Sequence, residues 1–269
     1  MAETTGKFST RELDSFVEQF HRDSFCILPA HFATSLLESW AKAFNPLLLA
    51  HIEREGHMKN RGANRYYVTL PFQGLFADPQ IYEDSDILAI CKKLVGDDMT
   101  MCQLATDTPL MGSEYQEIHR DSPGLFPEFG IETPPYQIAV NFPLCDVTLE
   151  NGPFEVVRGT HAMLKKEAFA LLDSGERKIE PITMKLGDVM IRDVRALHRG
   201  TPNKTHSPRP MCVIGYSRKW LLRPEVGINI PRAEYEKLSP QGKQLLRFEN
   251  VVESLIDAPT TEAYQSFAY

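Results

Sequence analysis

From Met99 onward the chain turns into a series of short apolar runs with a period of two, and this feature limits the fold more than any other. The runs are TMCQLAT, YQEIH, YQIAVNFPLC, PFEVV, ITMKL, DVMIRD and RPMCVIGYSRKW. Turn signals separate them, among them ENGP, VRGTH and KLGD. Alternating side chains on short strands, punctuated by Gly, Pro and Asn, predict a β-sandwich or barrel. Upstream the period is helical. Ser9 and Glu12 form a capping box before Leu13, Phe16, Val17 and Phe20, whose spacing gives one apolar face. FCILPAHF reads as a short strand. Thr34 to about Glu55 reads as a long helix with a break or kink at Asn45-Pro46. RYYVTLPF reads as a strand, and Ser85–Leu94 as a helix closed by Gly96. Downstream, PRAEYEKL and PQGKQLLRFENVVESL read as helices. The expectation is one domain over 1–269, mainly β with flanking helices (α+β). Its parts are a mainly helical segment (1–98), a β-core (99–220) and C-terminal helices (221–269).

A length of 269 residues with 42% hydrophobic content supplies a full core without disulfide or metal staples. The net charge of −7 argues against a nucleic-acid or anionic-membrane surface. Cys26, Cys91, Cys102, Cys145 and Cys212 are odd in number and form no CxxC, so they read as reduced, small hydrophobes. With no apolar leader and no long apolar run, the chain is expected to be cytoplasmic.

The letters HRDS occur twice, at His21–Ser24 and His119–Ser122. The kinase reading of H-R-D fails. The Asn required five residues past the Asp is Phe126 in one copy and Leu28 in the other, and no glycine-rich phosphate loop exists. Metal ligation is the alternative. If YQEIH is a strand, residues i and i+2 share a face, so His119 and Asp121 stand side by side and Arg120 points away. His198, at the end of GDVMIRDVRALH, is the best-placed third ligand. A hairpin through RGTPNKTHSP would return Arg209 beside it. Two imidazoles and a carboxylate are the ligand set of non-haem Fe(II) oxygenases and leave open positions for a 2-oxo acid and O2. An arginine fork suits the distal carboxylate of 2-oxoglutarate. A buried hydrogen-bonded cluster is the plainer reading of the same three residues. A turn-stabilising role fits His161, a solvated one His206, an exposed or structural one His51 and His57, and helix termination His21 and Asp23.

Beyond these residues the sequence resembles the phytanoyl-CoA dioxygenase family of Fe(II)/2-oxoglutarate oxygenases. ENGPFEVVRGTH at Glu150–His161 is similar to the family's N-G…P-G-S/T-H segment. KLGDVMIRDVRALHRGTPNKTHSPRP is similar to its distal-ligand segment, and FHRDSFCILPAHF to its N-terminal entry. The similarity runs from about Phe16 to Trp220, with Arg158 standing where proline is usual and Ser24 where glycine is common. The resemblance implies a double-stranded β-helix (jelly roll, cupin-like) and Fe(II) held by His119, Asp121 and His198. It implies 2-oxoglutarate clamped by Arg209, with Asn141 and Gln103 as further co-substrate contacts. The implied reaction uses O2 to convert 2-oxoglutarate to succinate and CO2 while oxidising a substrate C–H bond. A carboxylate at Asp121 implies hydroxylation or a related oxidation (demethylation, desaturation, cyclisation), not halogenation. Arg65, Tyr67 and Tyr115, with Tyr66 and Gln116 beside them, are the candidate substrate contacts. Without a basic cluster for coenzyme A phosphates, a small metabolite or natural-product intermediate is expected as substrate. Two other functions compete: a non-catalytic metal- or ligand-binding jelly roll, and another metal-dependent enzyme (isomerase or hydrolase) on the same fold.

Overall fold

The Ser9–Glu12 capping box starts helix α1 (Thr10–Asp23) in the computed structural model, which describes residues 6–56, 62–223 and 226–256. Glu12 accepts from the Ser9 N–H at 2.8 Å, and its own N–H donates to Ser9 Oγ at 3.4 Å. The helix ends at Ser24, whose φ of 74° lies in the left-handed region. Strand β1 (Phe25–Leu28) follows, then α2 (Thr34–Glu55). The expected break in α2 is absent, and the helix runs through Pro46. Lys42 and Pro46 are both exposed, so water can accept the role of the missing N–H. The inner face of α2 carries Leu37, Trp40, Phe44, Leu48 and His51, spaced by three and four. After β2 (Arg65–Thr69) come the short α3 (Pro79–Tyr82) and α4 (Ser85–Val95), the latter capped by Asp84 and closed by Gly96.

The remaining strands are β3 (Thr100–Pro109), β4 (Gln137–Pro143), β5 (Phe154–Val157), β6 (Ile179–Ile182), β7 (Val189–Asp193), β8 (His198–Gly200) and β9 (Met211–Ser217). They form two sheets, a six-stranded one in the order β1-β7-β4-β9-β3-β2 and a three-stranded one in the order β6-β5-β8. Every neighbouring pair is antiparallel. Together they make the double-stranded β-helix (jelly roll) that the resemblance implied. Two of the six strands in the large sheet come from upstream of residue 99, so the sheet is not confined to 99–220.

Alternation in the large sheet sorts side chains between two buried environments. Ile138, Val140 and Phe142 of β4, with Ile214 and Tyr216 of β9, pack outward against the helices in the main core. Gln137, Ala139 and Asn141, with Met211 and Val213, face inward onto a cavity. Both faces are therefore buried, one in hydrocarbon and one around a binding space.

Four local expectations need correction. YQEIH is not a strand: residues 113–118 are irregular, and His119 forms a single bridge with His198. ITMKL is displaced; β6 lies upstream as an edge strand, where Pro181 loses no ladder bond inside the sheet, and Met184 pairs singly with Val147. His198 and Arg209 do not share a hairpin, because β8 and β9 belong to different sheets. The C-terminal helix is short: α6 (Arg232–Tyr235) and α7 (Pro240–Leu245) lead into β11 (Asn250–Val252), which pairs in parallel with β10 (Asn229–Pro231). A further helix, α5 (Lys165–Asp173), has too weak an apolar stripe to be seen in the sequence; of its residues only Ala168 is buried.

Candidate metal centre and active site

His119 and Asp121 are brought to His198 by backbone pairing. The His119 N–H donates to the His198 carbonyl at 2.9 Å, and the His198 N–H donates back at 3.0 Å. The Asp121 N–H donates to Val194 O at 2.9 Å. The segment is therefore extended where it matters, and His and Asp emerge on the same side although no full strand forms. Nε2 of His119 lies 3.6 Å and Nε2 of His198 3.4 Å from Asp121 Oδ1, with the imidazole centroids 4.4 Å apart. Nδ1 of His119 donates to Glu117 O at 2.7 Å, and Nδ1 of His198 to Ala196 O at 2.9 Å. A carbonyl only accepts, so both protons sit on Nδ1 and both Nε2 lone pairs are free for a shared ion.

The second carboxylate oxygen is already taken. Arg192 Nη2 donates to Asp121 Oδ2 at 2.7 Å and Arg192 Nε to Asn141 Oδ1 at 3.1 Å, with the guanidinium over the Phe154 ring at 5.1 Å. Burial pushes the Asp121 carboxyl up, but His198, in its protonated form, and the permanent charge of Arg192 outweigh it and hold the group well below the usual carboxylate range. Burial drives His198 down to about 4, against the opposing pull of Asp121, so this imidazole is neutral at ordinary pH. Two imidazoles that bond carbonyls through Nδ1 and turn Nε2 toward one carboxylate oxygen suit a divalent cation in their donor chemistry.

The triad opens into a cavity walled by both sheets. Arg209 forms part of the wall and is 2% exposed. Its Nη2 donates to Gly152 O at 2.6 Å, and its Nε has no partner among the described residues. Burial lowers it only to about 10, so it stays cationic. Gly152 has φ +87°, and a Cβ there would stand 2.9 Å from Thr201 O, which explains the glycine in ENGP. Asn141, Gln103 and Tyr67 also line the cavity, with the Gln103 amide donating to the Tyr67 hydroxyl. Gln116 lines it while accepting from the Gly200 N–H at 2.9 Å.

Arg65 and Tyr115 lie off the wall. Arg65 is 1% exposed; its terminal nitrogens bond Asp107, at 2.9 Å, and the Thr201 carbonyl, and its Nε has no partner among the described residues. Tyr115 is exposed and lies under Arg199 at 4.4 Å. Tyr66 points into the helical core. His161 shares a hydrogen bond with Ser24 Oγ through Nδ1 at 2.8 Å, Asp23 pairs with Arg22 and Arg158, His51 is buried on α2, and His206 is exposed. His57 lies outside the described residues. A second cluster, His31, Asp84 and Asp86, is taken up by structure. Asp84 caps α4 and accepts from His31 Nε2 at 2.9 Å, while Asp86 accepts the Lys7 N–H at 2.7 Å. Arg192 escaped sequence reasoning, although its place in VMIRD, in step with the inward-facing Met190, was the signal that could have revealed it.

A jelly roll with two imidazoles and one carboxylate converging on its cavity has the architecture of the non-haem Fe(II)/2-oxoglutarate oxygenase class. The chain belongs to the phytanoyl-CoA dioxygenase (PhyH) family, whose model matches residues 20–211; these enzymes use Fe(II), 2-oxoglutarate and O2. The chain is 24% identical over 166 residues to dioxygenase af480 of Aspergillus fumigatus, a match covering 61% of this chain and 52% of that protein. It thus spans about half the length of that relative. Among solved structures, it is similar to the epimerase SnoN from nogalamycin biosynthesis (TM-score 0.60, 17% identity, 78% of this chain and 84% of that one). It is similar to HygX from Streptomyces hygroscopicus, solved with nickel, 2-oxoglutarate and hygromycin B bound (TM-score 0.59, 18% identity, 82% and 91%). It is also similar to AviO1 from Streptomyces viridochromogenes (TM-score 0.60, 20% identity, 81% and 99%). At these identities the structural likeness establishes the fold.

Proposed function

We propose that the protein is an Fe(II)- and 2-oxoglutarate-dependent oxygenase that oxidises a C–H bond of a small metabolite or natural-product intermediate. The observation that carries this reading is the convergence of His119 Nε2, Asp121 Oδ1 and His198 Nε2 in one cavity with a buried, under-partnered Arg209. The three side chains would hold the metal and leave three positions open. When bound, the metal supplies O2 activation coupled to oxidative decarboxylation of 2-oxoglutarate to succinate and CO2. Arg209 offers the distal carboxylate of 2-oxoglutarate a fixed cation whose desolvation is already complete. Asn141 and Gln103 supply neutral polar contacts on the same wall. Arg192 keeps Asp121 in one rotamer, and Phe154, Met190, Met211 and Val213 keep water from the reacting face. We assign the whole of 1–269 to one catalytic unit, with the helices covering the outer face of the large sheet. No helix among the described residues is long and apolar enough to cross a membrane, and the five cysteines, all among those residues, form no disulfide, which suits a reducing compartment.

Succinate formation from 2-oxoglutarate in the presence of Fe(II), ascorbate and O2 is the test. His119→Ala and His198→Ala should abolish it; turnover that survives either change sinks the metal assignment. Hydroxylation, epimerisation and ring closure share C–H cleavage, and epimerase and carbocyclase are the activities named for SnoN and SnoK. Product mass separates them: one oxygen gained, no change, or two hydrogens lost.

A further inference from the structure

Arg120 lies between the two proximal ligands in sequence and points away from the cavity, as alternation requires. It is nevertheless 1% exposed, and both of its terminal nitrogens are bonded to other parts of the site. Arg120 Nη1 donates to Glu132 Oε1 at 2.8 Å. Glu132 Oε2 accepts from Arg195 Nη1 at 3.2 Å, and Arg195 closes on Asp193 at 2.8 Å. Side-chain exposures along this chain of charges are 1%, 3%, 1% and 0%, so neither water nor salt screens it. The two arginines sit on different ligand-bearing segments. Arg120 stands between His119 and Asp121, and Arg195 stands three residues before His198, beside the Val194 carbonyl that receives the Asp121 N–H. A second link runs in parallel: Arg120 Nη2 donates to Thr160 O at 2.8 Å, and Thr160 Oγ1 accepts the Leu197 N–H at 2.9 Å. Glu132 itself comes from neither segment. It belongs to the loop that leaves Asp121 and returns to β4.

We propose that Glu132 is a positioning residue that sets the metal-ligand geometry by bridging Arg120 and Arg195, thereby clamping the His119–Asp121 segment to the His198 segment. The inference rests on the reading of His119, Asp121 and His198 as the metal site. One backbone bridge at His119–His198, the Asp121–Val194 bond and the paired bonds of Gln116 with Gly200 join the two segments directly, and no continuous strand ladder holds their register. Without the Glu132 carboxylate Arg195 keeps Asp193, but Arg120 is left a desolvated cation with no carboxylate partner, and the tie between the two ligand segments is lost. With Glu132→Gln the amide oxygen can satisfy one arginine, but its NH2 group meets the donors of the other, so half of the bridge is lost. The pair Glu155–Arg199, at 2.7 Å but partly exposed, supplies a control for loss of a nearby ion pair. It is as close and lies next to His198, but its ion pair joins β5 to β8 and leaves only the Arg199–Tyr115 ring contact toward the His119 segment.

The test is Co(II) titration of metal-free protein in the presence of 2-oxoglutarate, reading the dissociation constant and the visible absorption of the bound ion. Outer residues that orient metal ligands typically contribute 10–100-fold in affinity, so Glu132→Ala should weaken Co(II) binding by about that factor. Glu132→Gln should weaken it less and shift the absorption bands, and Glu155→Gln should change neither. If wild-type protein does not bind Co(II), the metal reading fails and takes this inference with it. If wild type binds and Glu132→Gln, folded by circular dichroism, matches it in affinity and spectrum, the inference alone is overturned. It is likewise overturned if Glu155→Gln is as damaging as Glu132→Gln, or if neither Glu132 variant folds, since Glu132 would then serve the fold at large.

Discussion

Arg192 holds one oxygen of Asp121 and leaves the other facing the two imidazoles. In the proposed metal site this gives Arg192 a supporting role: it fixes the Asp121 rotamer and keeps the carboxylate ionised against burial. Arg192→Met should leave the fold intact and weaken metal binding by roughly 10–100-fold, measured by Co(II) titration. At His198 the consequence is one of pH. The imidazole titrates at about 4 in the fold and near 6.5 when unfolded, so between these values the unfolded chain binds the extra proton. Metal-free protein should therefore lose stability as pH falls from about 6.5 to about 4, and His198→Gln should flatten that slope. Urea midpoints at several pH values would check this, and equal slopes in the two proteins would contradict it.

At the scale of elements, two junctions carry the site. The first joins α1 to β1 at Ser24, where the left-handed backbone favours glycine. The serine persists because its hydroxyl, fully buried, bonds His161 Nδ1 at 2.8 Å and accepts the His161 N–H at 3.4 Å. Ser24→Ala keeps the backbone strain and strands a buried imidazole, so it should cost about 1–3 kcal/mol in urea denaturation. Ser24→Gly, which relieves the strain, should cost less. The second junction is the loop from β8 to β9, which carries the chain from one sheet to the other. Asn203 ties it: its amide donates to Pro109 O at 3.0 Å and Ser207 O at 2.8 Å, and its carbonyl accepts the Thr205 N–H at 2.8 Å. Asn203→Ala should raise the apparent KM for 2-oxoglutarate, through Arg209, more than it weakens metal binding. Equal losses in both would show that the loop serves the fold rather than the clamp.

For the whole molecule, ligand and metal should act as stabilisers by mass action. A ligand at about a hundred times its dissociation constant adds roughly 2.7 kcal/mol. Metal and 2-oxoglutarate should each raise Tm, a chelator should reverse both shifts, and Arg209→Ala should abolish the 2-oxoglutarate increment while keeping that of the metal. A 2-oxoglutarate shift that survives in Arg209→Ala would remove Arg209 from the clamp role.

Much of this molecule is legible in its residues. Local rules fix what local chemistry controls: the Ser9–Glu12 cap, the amphipathic faces of α1 and α2, the alternation of β4, β7 and β9, and the H-x-D spacing are all decided within a few residues. His198 and Arg209 were legible from the strand-and-turn pattern around them, and the family segments reinforced both. Tertiary structure decided the rest. It ended the C-terminal helix at Leu245 because β10 offered Asn250–Val252 a partner. It placed β8 and β9 in different sheets, so that His198 and Arg209 share a cavity without sharing a hairpin. It also drew Arg65 onto Asp107 and set Arg120, Glu132 and Arg195 in one buried network. Charged side chains carry no periodic signature of their partners. Which carboxylate neutralises which guanidinium is settled only when distant segments are packed out of water, where an unpaired charge costs too much to leave alone.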